Sequence, residues 1–114
     1  MFRMLSCFDL EPEADFETFQ AEYMEFVEDM RRLGLVESTG PIGQRRSDTP
    51  MDTDDERNHQ YFVITNFCDR AQVDAAYDYI RGQREPGNAI HRSVYAKVVN
   101  PVFICWEDAA KPGQ

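Results

Sequence analysis

A chain of 114 residues with 42% hydrophobic and 29% charged side chains is long enough for one core and has the composition of an ordinary globular domain, not a disordered one. Its net charge of −9, from 21 acidic residues against 12 basic ones, excludes the phosphate neutralisation on which nucleic-acid binding rests and disfavours an anionic membrane surface. The acidity is expected to serve solubility.

The first strand, residues 2–8, is apolar at its even positions (Phe2, Met4, Phe8) and at two odd ones (Leu5, Cys7). Successive strand residues point to opposite faces, so both faces of the sheet require cover. Residues 11–15 open a helix with Pro12 in its first turn. Phe16, Phe19, Tyr23, Phe26, Val27, Met30 and Leu33 form one stripe at the helical period, and Gly34 ends the helix. Residues 35–46 read as an edge strand weakened by Gly40, Pro41 and Gly43. Residues 47–58 are polar and acidic, an exposed hairpin loop. Residues 59–66 form a strand, again apolar on both faces.

Asp69 with Gln72 three residues on resembles a capping box, and the helix it starts presents Val73, Ala76, Tyr77 and Ile80 before Gly82. A second helical piece begins near Pro86 and carries Ile90, Val94 and Val98 four apart. The last strand spans residues 101–107, apolar on both sides, and residues 109–114 form a flexible tail. Two helices from one chain can cover one sheet face only, so a second copy is expected on the other, making a homodimer.

No run approaches the roughly 18 apolar residues of a spanning helix. The apolar start is interrupted by Arg3 and Asp9 with no small-residue cleavage site, so no signal peptide is expected. Three widely spaced cysteines (Cys7, Cys68, Cys105) make neither a disulfide framework nor a zinc site. A reduced, cytoplasmic protein is the expectation, with no membrane and no nucleic-acid partner.

Strand, long helix, two strands, helix and strand, with an extra helical turn before the last strand, resemble over residues 1–108 the ferredoxin-like half of the dimeric α/β-barrel superfamily. The pattern is most similar to a small bacterial family of unassigned function. The resemblance implies an α+β fold: a βαββαβ antiparallel sheet, helices on one face, and two such sheets packed face to face as a dimeric α/β barrel. It also implies a ligand cleft between the sheet and the helices of each protomer. Members include monooxygenases of antibiotic biosynthesis, lactone isomerases, haem-degrading enzymes, stress-responsive proteins and ligand-binding regulators, so fold does not fix function.

Within that frame His91 is the candidate catalytic residue, a proton shuttle near Arg92 and Tyr95, while Tyr23, Tyr61, Asn66 and Trp106 are expected to line the cleft. Position on the apolar stripes equally makes Tyr23 and Tyr77 core residues. His59 reads as a solvated strand end. Asn66, Trp106 and His91 supply residue types found in haem-degrading relatives, but their surroundings match no motif, so no cofactor is expected. Arg45 and Arg46 are expected to pair with Asp48, Asp52 or Asp54. The acidic run 52–56 lacks the glycine and final glutamate of a calcium loop, and no metal is expected. Two functional readings follow: a small-molecule-binding protein acting as a cofactor-independent monooxygenase or isomerase on an aromatic or apolar metabolite, or a non-catalytic ligand-binding or protein-interaction module.

Overall fold

The computed structural model describes residues 1–83 and 87–110. Its elements are β1 (Phe2–Leu10), α1 (Phe16–Arg32), β2 (Ser38–Thr39), β3 (Gly43–Gln44), β4 (Tyr61–Phe67), α2 (Arg70–Arg81), α3 (Gly87–Ala96) and β5 (Val98–Glu107). The sheet is antiparallel in the order β2-β4-β1-β5, with β3 also pairing β4. It is an α+β, ferredoxin-like arrangement with the helices against one face.

The long helix starts later than its acidic lead-in predicts. Asp15 is its N-cap, accepting hydrogen bonds from the Thr18 N–H at 3.0 Å and the Thr18 hydroxyl at 2.8 Å. Pro12 lies in the preceding turn, which the Ala14 N–H closes on the Glu11 carbonyl. At the other end Gly34, at φ +74°, donates to Arg31 O, and Leu35 donates to Met30 O. Those two bonds satisfy the last carbonyls of the helix, and only glycine takes that backbone conformation without strain. The stripe buries Phe19, Tyr23, Phe26, Val27 and Met30, whereas Leu33 at the cap is exposed.

The predicted strand over 35–46 survives only as the two short pieces β2 and β3. Pro41 cannot donate between them. The loop after β3 is pinned by Arg45, which holds both oxygens of Asp52 at 2.9 and 2.8 Å and the carbonyls of Asp54 and Arg57. The expected pairing is present for Arg45.

His59 is a correction. It is not a solvated strand end: it is only 9% exposed, and its Nε2–H donates to the Asn100 carbonyl at 2.8 Å, reaching across β1 to the start of β5. Its Nδ1 is buried without a hydrogen-bond partner among the described residues.

In α2, Asp69 caps Gln72 N at 2.8 Å while the Gln72 side chain accepts from Cys68 N and donates to Gly34 O, tying this helix start to the end of α1. The stripe is Val73, Ala76 and Ile80. Tyr77 departs from it and is 62% exposed, so it is neither core nor cleft.

Val98 belongs to β5, not to the preceding helix. Lys97 N–H bonds back to Val94 O and Lys97 O accepts from Glu11 N, so the chain turns directly into the strand. β5 therefore begins three residues before Pro101, and a register shift opposite Cys7 and Asp9, with Asn100 at φ +55°, absorbs the irregularity. Pro86, the predicted helix start, and residues 111–114 of the predicted tail lie outside the described residues.

The register divides the sheet into two unlike faces. Phe2, Met4, Ser6 and Phe8 of β1, with Val63, Thr65 and Phe67 of β4, face the helices and pack with the α1 stripe, Ala76 and Val94 as the core. On the other face Ile64, Leu5 and Ile104 form one row across β4, β1 and β5, and Phe62, Cys7 and Val102 form the next. A third row, Asn66, Arg3 and Trp106, is polar: Arg3 donates to Asn66 at 2.8 Å and to both oxygens of Asp108 at 2.8 and 3.1 Å. Ile64, Val102, Ile104 and Trp106 are exposed.

Candidate functional site

Two adjoining cavities lie between the helix-facing side of the sheet and the helices. The outer one, about 20 Å3, is lined by Phe8, Phe19, Val63 and Val94 and ends at Pro101 and the exposed Phe103 on the free edge of β5. The inner one, about 70 Å3, runs between Met4, Phe26, Met30, Thr65 and Ile80. Ser6, Tyr23 and Tyr95 line both.

Each of the three shared residues is placed by a different element. Ser6 occupies a core-facing position of β1 between Met4 and Phe8, where the pattern otherwise demands an apolar side chain. Tyr23 comes from the middle of α1; its hydroxyl lies 3.1 Å from Thr39 Oγ1 and 3.3 Å from Thr65 Oγ1. Tyr95 comes from the last turn of α3 and packs its ring on Phe103 and His91, at centroid distances of 6.3 and 4.7 Å. Burial, and then the neighbouring Tyr23, pushes the Tyr95 phenol up to about 12, so at neutral pH it is an O–H donor.

The cavities thus offer hydroxyl groups on apolar walls. Among their described lining residues there is no carboxylate, imidazole, ammonium or guanidinium group. No cluster of three or more His, Cys, Asp or Glu able to hold a metal ion occurs among the described residues.

Of the residues expected to form the site, Tyr23 alone lines these cavities. His91 stands behind Tyr95 on α3, its ring also 5.3 Å from Phe26, and burial lowers its pKa. Tyr61 stacks between Phe8 and Phe16 at 5.8 and 5.2 Å, beside a separate surface groove with Asp9 and Glu11. Asn66 and Trp106 are on the opposite face of the sheet, because each stands one residue away from a core-facing position and the strand period turns it outward. The five residues are not brought together. Ser6 and Thr65 join the lining outside the expected set, although a hydroxyl at a core-facing position in an apolar strand is visible in the sequence.

The α3 wall is joined to α1 beside the cavities. Glu22 Oε2 accepts from the Ser93 hydroxyl at 2.6 Å and from Lys97 Nζ at 2.9 Å, and Lys97 also reaches Ser93 Oγ and O, both at 3.1 Å. The Ser93 hydroxyl, and then Lys97, hold the Glu22 carboxyl below the usual carboxylate range.

The cysteines are free, and Cys7 and Cys105 sit on opposite faces of their neighbouring strands. Among the described residues no helix is long and apolar enough to cross a membrane.

No protein-family profile and no curated protein matches the chain in sequence. Solved structures do match in shape. A variant of SnoaB, a cofactor-independent oxygenase from Streptomyces nogalater, superposes with a TM-score of 0.67 at 8% identity, covering 99% of this chain and 97% of that one. An Arabidopsis thaliana protein gives a TM-score of 0.72 at 6% identity over 97% and 98% of the two chains. A dimeric ferredoxin-like protein of unknown function from Jannaschia gives 0.64 at 16% identity over 94% and 98%. At such identities the likeness is one of fold alone: the chain has a ferredoxin-like fold.

Proposed function

We propose that this protein binds a small, largely apolar molecule, of about one aromatic ring, between its sheet and helices, and that it does so as a homodimer. One observation carries the binding reading: Ser6, Tyr23 and Tyr95 stand together along two adjoining cavities whose other walls are almost wholly apolar. Ligand sites have this character, apolar walls with a few placed polar groups that fix orientation. The dimer is supported by the exposed apolar side chains Ile64, Val102 and Ile104 on the sheet face away from the helices, and by the dimeric state described for several proteins of the same fold.

Oxygenation or isomerisation is the finer reading, in keeping with the fold shared with SnoaB. Such chemistry calls for proton transfer, which this reading assigns to His91 acting through Tyr95. The absence of an ionised group from the described cavity lining favours the second reading, binding without turnover.

Titration with indole, followed by amide NMR, tests the site. Saturable shifts centred on Ser6, Tyr23 and Tyr95 are expected. Shifts confined to the outer rows, or none up to millimolar indole, would discard it. The catalytic form is discarded where His91→Ala leaves turnover of a bound aromatic unchanged.

A further inference from the structure

We infer that α3 is a gate: the clasp that Ser93 and Lys97 make on Glu22 holds the cavities closed, and a ligand enters when this helix swings away from α1. The inference rests on the proposed binding site and adds how that site is reached.

Size is the first argument. Cavities of about 20 and 70 Å3 admit no aromatic ring as they stand; an apolar cavity that takes up benzene is on the order of 150 Å3. A wall must therefore move before a ring of that size can bind.

The second argument concerns which wall moves. The sheet side is held by pairing of β1 with β4 and, on either side of one register shift, with β5. α1 is 17 residues long, capped at both ends, and buries five large side chains. α2 is tied to the end of α1 through Gln72. α3 is a ten-residue helix that supplies Val94 and Tyr95 to the lining; it carries Ser93 just before them, and Lys97 stands in the turn just after its last residue. The clasp is thus placed on the turn that forms the cavity wall. Its charged partners remain about one-quarter exposed, so water can replace their bonds during opening. The outer cavity ends at Phe103, on which the Tyr95 ring rests, so displacement of α3 opens it towards solvent along the free edge of β5.

Hydrogen exchange on the intact chain tests the gate without any ligand. In the wild type, amides of residues 90–96 should exchange through a local opening, well ahead of those in β1 and β4. Glu22→Gln weakens the charge-assisted bonds and should speed exchange in that helix by roughly tenfold, leaving β1 and β4 unchanged. Ser93→Ala, which retains the Lys97–Glu22 pair, should give a smaller change in the same direction. The association rate of 5-fluoroindole, read by fluorine NMR, should rise by the same factor as the exchange rate. The gate is overturned where α3 exchanges only together with β1, where neither variant accelerates it, or where 5-fluoroindole associates at an unchanged rate. Faster exchange of α3 with no 5-fluoroindole bound would leave the opening intact and count against the binding site instead.

Discussion

The two faces of the sheet come from the same strands, and they have opposite fates. Val63 and Ile64 are adjacent, similar in size and both β-branched; Val63 is 3% exposed and Ile64 39%. The difference lies in what stands above each face. Three helices from the same chain cover the side of Val63, and on the other side Ile64, Val102 and Ile104 remain exposed. A run that is apolar on both faces is therefore a statement about two environments. One is met by the chain, and the proposed homodimer would meet the other.

The sharpest way to break this comparison is to place the same charge on each face. Val63→Asp buries an unpaired carboxylate among Phe8, Phe19 and Val94 and should cost roughly 3–5 kcal/mol, read as a lowered midpoint in urea. Ile64→Asp should leave the folded protomer within about 1 kcal/mol of the wild type, because a half-exposed carboxylate keeps much of its hydration. In sedimentation its effect should be dissociation of the dimer. Equal destabilisation by both variants would mean that the faces are not distinct. A stable dimer carrying Asp at position 64 would mean that the two sheets do not face each other.

A smaller effect sharpens the helix-side half of the comparison. Burial lowers the pKa of His91, so the unfolded chain takes up the proton first as pH falls below about 6.5. Stability attributable to this residue is complete above that value and declines as pH drops towards the lower, folded value. The urea midpoint should therefore fall between pH 7 and 5, and His91→Gln should flatten that part of the profile. A slope that His91→Gln leaves untouched would show that the imidazole is solvated and not packed between Phe26 and Tyr95.

How legible the molecule was differs from element to element. The α1 stripe, the Asp69 cap and the alternation of β4 could be read because each is a local matter of period and capping. The errors arose where a distant segment decided the outcome. Val98 continues a helical spacing from Ile90 and Val94, yet it pairs with Leu10 and starts β5. Tyr77 fits an apolar stripe, but the side of α2 it occupies is exposed. His59 looks like a solvated strand end beside an acidic loop, yet it is buried and bonds to Asn100, which arrives from the other side of β1.

The candidate site was the least legible part. Tyr23 could be placed on the core side of α1 from its spacing alone. Its association with Ser6 and Tyr95 could not, because these residues are 17 and 72 positions away in sequence. Asn66 and Trp106 carry suitable chemistry but a one-residue offset turns them to the other face, which no composition reveals. The sequence by itself determined the main helices and strands, their order and the apolar character of both sheet faces, since period, capping and alternation act between near neighbours. Only the tertiary structure decided which face became the core, where the hydroxyls were brought together and which helix lies over them, because those outcomes depend on registers between segments far apart in the chain.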